Sequence, residues 1–194
     1  TVSVDGGQLN VNTAETIGAL TGSGGIIGLN AALTTGGNNT STSVSSIIQG
    51  TGSLTLVGTG TMTLTGLNTF TGLTTVNSGT LNTTGQLLGG LTNNATTNAS
   101  GVLNGPISNT GQLTVAGALT GNGALVNSGT LDVIAGSFTG LTSVTNTGNI
   151  NVTGQTLGGN LIHNGGTVTL TNGTIGGTTN IAGGATLTAL GAST

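Results

Sequence analysis

The sequence predicts an all-β chain folded as a parallel β-helix, or β-solenoid, with about 18–19 residues per coil. The first observation is a Gly-x-Leu unit at every sixth residue, ending at Leu113, Leu119, Leu125 and Leu131. The second is an Asn-x-Gly-x-apolar unit whose apolar member advances in steps of 18, 19 and 18, at Leu113, Leu131, Ile150 and Val168. These spacings predict coils of three short strands, each about six residues long with its turn.

The strands themselves are predicted from alternation. Runs such as Leu113-Thr114-Val115 direct apolar side chains to one side and Thr to the other. Thr and Val are β-branched and favour strands, whereas Asn and Gly accept the left-handed backbone of a sharp corner. About ten coils with a strand spacing of ~4.8 Å would form a rod on the order of 50 Å long.

We predict one domain over residues 1–194, with irregular coils over 1–110 and regular coils over 111–194. The polar stretch 36–46 is expected to be a loop or a coil with an insertion. Leu81 and Leu113 are too far apart for one coil of the predicted length and too close together for two. We therefore expect residues 93–100 and Pro106 to lie in a longer loop, because Pro suits a corner or an edge.

The repeated Asn residues are candidates for a stacked structure. Stacking places like residues above like, so Asn77, Asn109 and Asn127 are expected to form an asparagine ladder at one corner. The alternative for each of them is a solvated turn residue. The repeating unit also assigns structural positions to Gly111, Leu113, Gly129, Leu131, Asn146, Gly148 and Ile150.

Residues 58–81 carry a longer motif. They contain GTGTMTLTG at 58–66, NTFTG at 68–72 and VNSGTL at 76–81, and the last six letters recur at 126–131. The stretch 51–81, about a sixth of the chain, resembles the passenger-associated repeat of bacterial autotransporters, GxGTLTLTGxNTYTGxTTVNxGTL, with Phe in place of the usual Tyr. The resemblance implies a right-handed β-helix and structural positions for Asn68, Phe70, Gly72, Asn77, Gly79 and Leu81. Residues 138–142 echo 70–74, which suggests a degenerate second copy of the turn.

The charge of the chain excludes several partners. It has no Lys or Arg and a formal net charge of −3. Nucleic-acid binding and attraction to anionic lipid both depend on cationic side chains, so we expect neither. No apolar run approaches the ~20 residues that span a bilayer, so membrane insertion by this segment is not expected. The absence of Cys excludes disulfides and thiolate metal sites.

The chemistry of catalysis is nearly missing from the sequence. The only acids are Asp5, Glu15 and Asp132, and the only base candidate is His163. Asp5 and Glu15 could be neighbours on the first coil, and a Ser-His-Asp triad using His163 and Asp132 is formally available. We expect surface carboxylates and a solvent-facing His163 at a corner instead. The sequence therefore predicts no enzyme, no cofactor and no metal site.

Three functions compete. The resemblance implies a non-enzymatic stalk or adhesin at the bacterial cell surface or secreted from it. It would be exported through its own outer-membrane translocation domain, drawn outward by stacking of coils outside the cell, with a host or neighbouring-cell surface as partner. The alternative is an extracellular filament or sheath subunit that self-associates end to end through uncapped coils. The third is an ice- or surface-binding solenoid using the Thr-x-Thr pairs at 61–65 and 167–171, although these pairs are missing around Leu131 and Ile150.

Overall fold

The computed structural model describes all residues, 1–194, and contains only strands, turns and irregular segments. All strand pairs are parallel, and the chain winds through about ten stacked coils, so the predicted β-solenoid is confirmed. Each coil presents three faces, which we call face 1, face 2 and face 3 in chain order. We number the strands β1 to β28 along the chain.

Face 1 is the longest stack, and the isolated bridge between Gly22 and Val44 joins its first two strands to the rest. Its strands are β1 (Val2–Ser3), β4 (Leu20–Thr21), β7 (Thr42–Val44), β10 (Thr61–Leu64), β12 (Thr80–Thr83), the first parts of β15 (Thr96–Leu103) and β17 (Gln112–Gly121), β19 (Thr130–Val133), β22 (Asn149–Thr153), β25 (Thr167–Thr171) and β28 (Thr186–Leu190).

Faces 2 and 3 complete each coil. Face 2 contains β2 (Gln8–Val11), β5 (Ile26–Leu29), β8 (Ile47–Gly50), β13 (Gln86–Leu87), the last parts of β15 and β17, β20 (Phe138–Thr139), β23 (Thr156–Leu157) and β26 (Thr174–Ile175). Face 3 contains β3 (Glu15–Thr16), β6 (Leu33–Thr35), β9 (Leu54–Leu56), β11 (Thr74–Val76), β14 (Leu91–Asn93), β16 (Ile107–Asn109), β18 (Ala124–Asn127), β21 (Ser143–Asn146), β24 (Asn160–His163) and β27 (Thr179–Ile181).

The core runs along the axis without interruption. One cluster of 36 buried apolar residues extends from Val4 to Ile175. The predicted column of apolar residues on face 1 is confirmed, because Leu113, Leu131, Ile150, Val168 and Leu187 are aligned on consecutive strands. Since each coil contributes only a few inward side chains, the core depends on this alignment being kept from coil to coil.

The irregularity of the first part comes from coil length. The coil between the aligned residues Leu33 and Leu54 is longer than the regular coils, and the coil between Leu91 and Ile107 is shorter. The predicted loop over 93–100 and Pro106 is wrong. Leu81 pairs with Thr97 and Thr97 with Leu113, so two short coils fill this interval. The segment 36–46 belongs to the long coil and contains β7, which agrees with the second of the two predicted alternatives, a coil with an insertion.

Candidate functional site

A column of buried asparagine side chains runs inside the corner between face 3 and face 1. Asn93, Asn109, Asn127 and Asn146 are aligned on consecutive strands, and we call them the asparagine column. Each is at most 1% exposed. Nδ2 of each of the first three donates to Oδ1 of the next at 2.7 Å. Such a ladder satisfies every buried amide in turn.

The same amides also support the corners of the backbone. Nδ2 of Asn109 donates to the carbonyl of Thr130 at 2.8 Å, and Nδ2 of Asn127 to that of Asn149 at 3.0 Å. Both acceptors lie on the following coil. The column therefore joins consecutive coils through side chains as well as through the strand ladder.

Both ends of the column are closed by a polar side chain. At the first end, Oγ1 of the buried Thr97 donates to Oδ1 of Asn93 at 2.8 Å. At the other end, His163 aligns with Asn146, and its Nδ1 lies 3.2 Å from Nδ2 of Asn146. The expectation of a solvent-facing His163 is wrong, because the ring is fully buried. One extra residue in that corner turns the exposed Asn164 outward and His163 inward.

Asn77 does not belong to this column, which corrects the predicted ladder. Val76 occupies the column position, and Asn77 is exposed and accepts from Nδ2 of Asn94 at 3.1 Å. The identical hexapeptides 76–81 and 126–131 therefore differ by one residue in the register with which they pair on face 3. Val76 and Asn127 point inward, whereas Asn77 and Val126 point outward.

The corner lengths explain this difference. Leu81 and Leu131 lie in the same core column of face 1. Leu81 is five residues after the inward Val76, whereas Leu131 is only four residues after the inward Asn127. The longer corner has Gly79 at φ +75°, a conformation that favours glycine. The shorter one brings Gly129 against the preceding coil, where a Cβ would overlap the carbonyl oxygen of Gly111. Gly111 and Gly148 occupy equivalent positions in their coils.

The motif over residues 58–81 forms one complete coil. Thr61 and Met62 at its start pair with Thr80 and Leu81 at its end. Asn68 and Phe70 are buried on face 2, and a Cβ on Gly72 would overlap the carbonyl of Gly52. The Asn68 amide and the Thr83 hydroxyl are buried without a partner.

Phe138 also lies in the core of face 2, but in a different register from Phe70. It precedes Val144 by six residues, whereas Phe70 precedes the aligned Thr74 by four. The echo of sequence between 138–142 and 70–74 therefore does not place the two rings at equivalent points of their coils.

The ionisable side chains are separate from one another. Asp5 accepts from the Ser3 hydroxyl at 2.6 Å and from the Ser23 amide at 3.1 Å, and these hydrogen bonds hold the pKa of Asp5 below its ordinary value. Glu15 accepts from Thr13, and Asp132 accepts from Asn151 at 2.7 Å on the outside of face 1. The structure thus brings neither Asp5 to Glu15 nor Asp132 to the buried His163. No group of three or more His, Asp and Glu side chains lies together.

The outer surfaces differ between faces. Face 1 carries the predicted Thr pairs at Thr61 and Thr63 and at Thr167 and Thr169, but Asp132 and Asn151 interrupt them. Face 3 carries a longer series of outward hydroxyls, which the sequence did not reveal because the intervals between them vary. A shallow apolar depression of about 360 Å³ lies on this face between Leu73 and Val126, and Thr92 and Ser108 of that series line it.

No protein-family model, curated protein or solved structure matches this chain. The chain contains no helix long and apolar enough to cross a membrane. The part of the molecule available to a partner is its outer surface, whose strands the asparagine column and the core hold in register.

Proposed function

We propose that the chain is a non-enzymatic extracellular β-helical surface protein, a stalk or adhesin of the passenger type exported by an autotransporter route. The observation that supports this is the motif over residues 58–81. The residues that resemble the passenger-associated repeat form one whole coil, and its two ends stack on each other. A motif that encodes one coil suits a rod built by repetition.

Export by this route can be tested by fusing the chain, behind a secretion leader, to the outer-membrane translocator of an autotransporter. Antibody binding to intact cells then measures arrival at the surface. If stacking of coils draws the chain outward, Gly129→Ala slows arrival, because its Cβ meets the Gly111 carbonyl. Gly183→Ala is the matched control, because nothing lies within 4 Å of a Cβ there.

Retention of the wild-type chain in the periplasm, with a known passenger exported in parallel, would refute the route. Equal rates for Gly129→Ala and Gly183→Ala would refute the contribution of stacking. Attachment of displaying cells to host cells or to one another, relative to cells with the translocator alone, separates an adhesin from a stalk.

A second candidate function is a self-assembling filament subunit. What supports it is that every coil pairs with its neighbours in the same parallel way, so a coil of one copy could stack on a coil of another in the same manner. Ile181 on β27 is 44% exposed, so a charge can be placed there.

Negative-stain electron microscopy over a concentration series tests the filament. Fibres that disappear in Ile181→Asp but persist in Leu67→Asp would support stacking through the coil that contains Ile181. Leu67 is the control because it is 58% exposed on the side of the rod. Single short rods at every concentration would contradict the filament and favour the stalk.

A further inference from the structure

The outer surface of face 3 carries an unbroken rank of hydroxyl groups. Six residues are aligned on consecutive strands and point away from the core, and we call them the threonine rank: Thr16, Thr34, Thr55, Thr75, Thr92 and Ser108. The column continues through Val126, Thr145, Ile162 and Asn180. Eight of these ten residues are β-branched. No hydroxyl of the threonine rank is engaged by another side chain or by a carbonyl of the protein.

The rank is straight because the pairing on face 3 never slips. The only shift of register lies between Ala99 and Gly101, where β15 pairs with β17 on faces 1 and 2. The interval along the chain is longest between Thr34 and Thr55 and shortest between Thr92 and Ser108. The difference in the number of residues per coil is taken up in the corners and not in the strands of face 3. The hydroxyls therefore repeat at the strand spacing of ~4.8 Å.

A second rank lies at the edge of the same face, two residues further along each coil. It contains Asn77, Asn94, Thr110, Ser128, Thr147 and Asn164. Nδ2 of Asn94 donates to Asn77 at 3.1 Å, and the Thr110 hydroxyl donates to Asn94 at 2.9 Å. These two hydrogen bonds hold Asn77, Asn94 and Thr110 in line beside the threonine rank.

The chemistry of face 3 excludes most macromolecular partners. Glu15, at one end, is its only charged side chain, so it offers nothing to phosphates or lipid headgroups. Both Phe rings are fully buried, so no ring is available to stack on a sugar. Protein interfaces are anchored mainly by Trp, Tyr and Arg, and the chain has none of these.

Ordered water is the partner that such a surface does suit. Apolar groups restrict the orientation of neighbouring water, and Thr supplies a methyl group for this together with a hydroxyl that hydrogen-bonds to the same layer. Thr is also stiff at χ1, so the array is fixed before it binds, which lowers the entropic cost of binding. The strand spacing is close to a repeat of water oxygens on the surface of ice. We propose that face 3 binds ice through the threonine rank.

Two tyrosine substitutions test this proposal. Thr75→Tyr raises a ring in the middle of the threonine rank. Thr63→Tyr is the matched control, because Thr63 lies in the same coil, at the centre of a strand of face 1, and is similarly half-buried. Circular dichroism verifies that both variants keep the wild-type fold. The measurements are partition of the labelled protein into a growing ice front and thermal hysteresis.

We expect the wild type and Thr63→Tyr to enter ice and to show hysteresis, and Thr75→Tyr to lose both. Exclusion of the wild type from ice would overturn the proposal, as would equal loss in the two variants. Sedimentation of the three proteins tests the alternative that face 3 binds a second copy of the chain. A wild-type dimer that Thr75→Tyr alone dissociates, without ice binding, would assign face 3 to a second copy and also overturn the proposal.

Discussion

Nδ2 of Asn146 lies 3.2 Å from Nδ1 of His163, and this contact ends the asparagine column. Because Nδ2 of Asn146 can only donate, Nδ1 of the ring must accept, so the ring hydrogen lies on Nε2. Nε2 is 2.9 Å from the carbonyl of Thr186 and donates to it. The ring thus replaces a fifth asparagine, accepting from one coil and donating to the next.

His163→Asn is expected to be well tolerated, because an amide can repeat both hydrogen bonds. His163→Leu removes them, which leaves the Thr186 carbonyl without its side-chain donor and the Asn146 amide with only the carbonyls of Gly148 at 2.9 Å and Gly165 at 3.4 Å, at a cost of about 1–3 kcal/mol. Urea denaturation measures both free energies of unfolding. Equal destabilisation by Asn and Leu would show that the ring matters only for its volume.

Thr97→Val and Thr83→Val form a second pair of predictions. Both hydroxyls are buried on face 1, but Thr97 donates to Asn93 at 2.8 Å whereas the Thr83 hydroxyl has no partner. Thr97→Val should lower the free energy of unfolding by about 1–3 kcal/mol. Thr83→Val should leave it unchanged or raise it, because Val removes an unpaired polar group. A loss of stability in Thr83→Val would contradict this account.

Gly129→Ala tests the close stacking of corners. A Cβ on Gly129 would overlap the Gly111 carbonyl oxygen, so the coils must separate, and we expect a loss of about 1–3 kcal/mol. Gly183→Ala meets no atom within 4 Å and should change stability by no more than about 1 kcal/mol, in the stabilising direction. Thermal unfolding followed by circular dichroism compares the two. Similar melting temperatures would mean that the corners are not tightly stacked.

The pKa of Asp5 should depend on Ser3. The Ser3 hydroxyl and the Ser23 amide stabilise the charged carboxylate and lower the pKa of Asp5, so Ser3→Ala should raise that pKa toward its ordinary value. A lowered folded-state pKa stabilises the fold above the unfolded-state pKa, and this contribution is lost as pH falls through the folded-state pKa. NMR titration of the Asp5 carboxyl measures the shift, and an unchanged pKa would exclude the Ser3 contact.

The sequence predicts the fold where its repeat is regular. The apolar column from Leu113 to Leu187 follows from a nearly constant interval along the chain, although the corner before Val168 is one residue longer than the corners before Leu131 and Ile150. The prediction fails where coils change length. The short coils around 93–106 resemble a loop in the sequence, because Thr97 replaces an apolar residue in the core column.

The candidate surfaces are harder to predict than the core. The inward position of His163 depends on one extra corner residue, and the threonine rank has no fixed interval in the sequence. Local sequence cannot decide either case, because the same six letters place Asn77 outside and Asn127 inside. The register of each strand is set by its pairing with the neighbouring coils, and therefore by the stack of coils as a whole.

The most direct test of this register compares Asn127→Leu with Asn77→Leu, two substitutions in the identical hexapeptide Val-Asn-Ser-Gly-Thr-Leu. Asn127 accepts from Asn109 and donates to Asn146, each at 2.7 Å, so its loss should cost at least about 2 kcal/mol in urea denaturation. Asn77 is exposed, and its substitution should change stability by no more than about 0.5 kcal/mol. Equal effects of the two substitutions would contradict the register on which the asparagine column and all three faces depend.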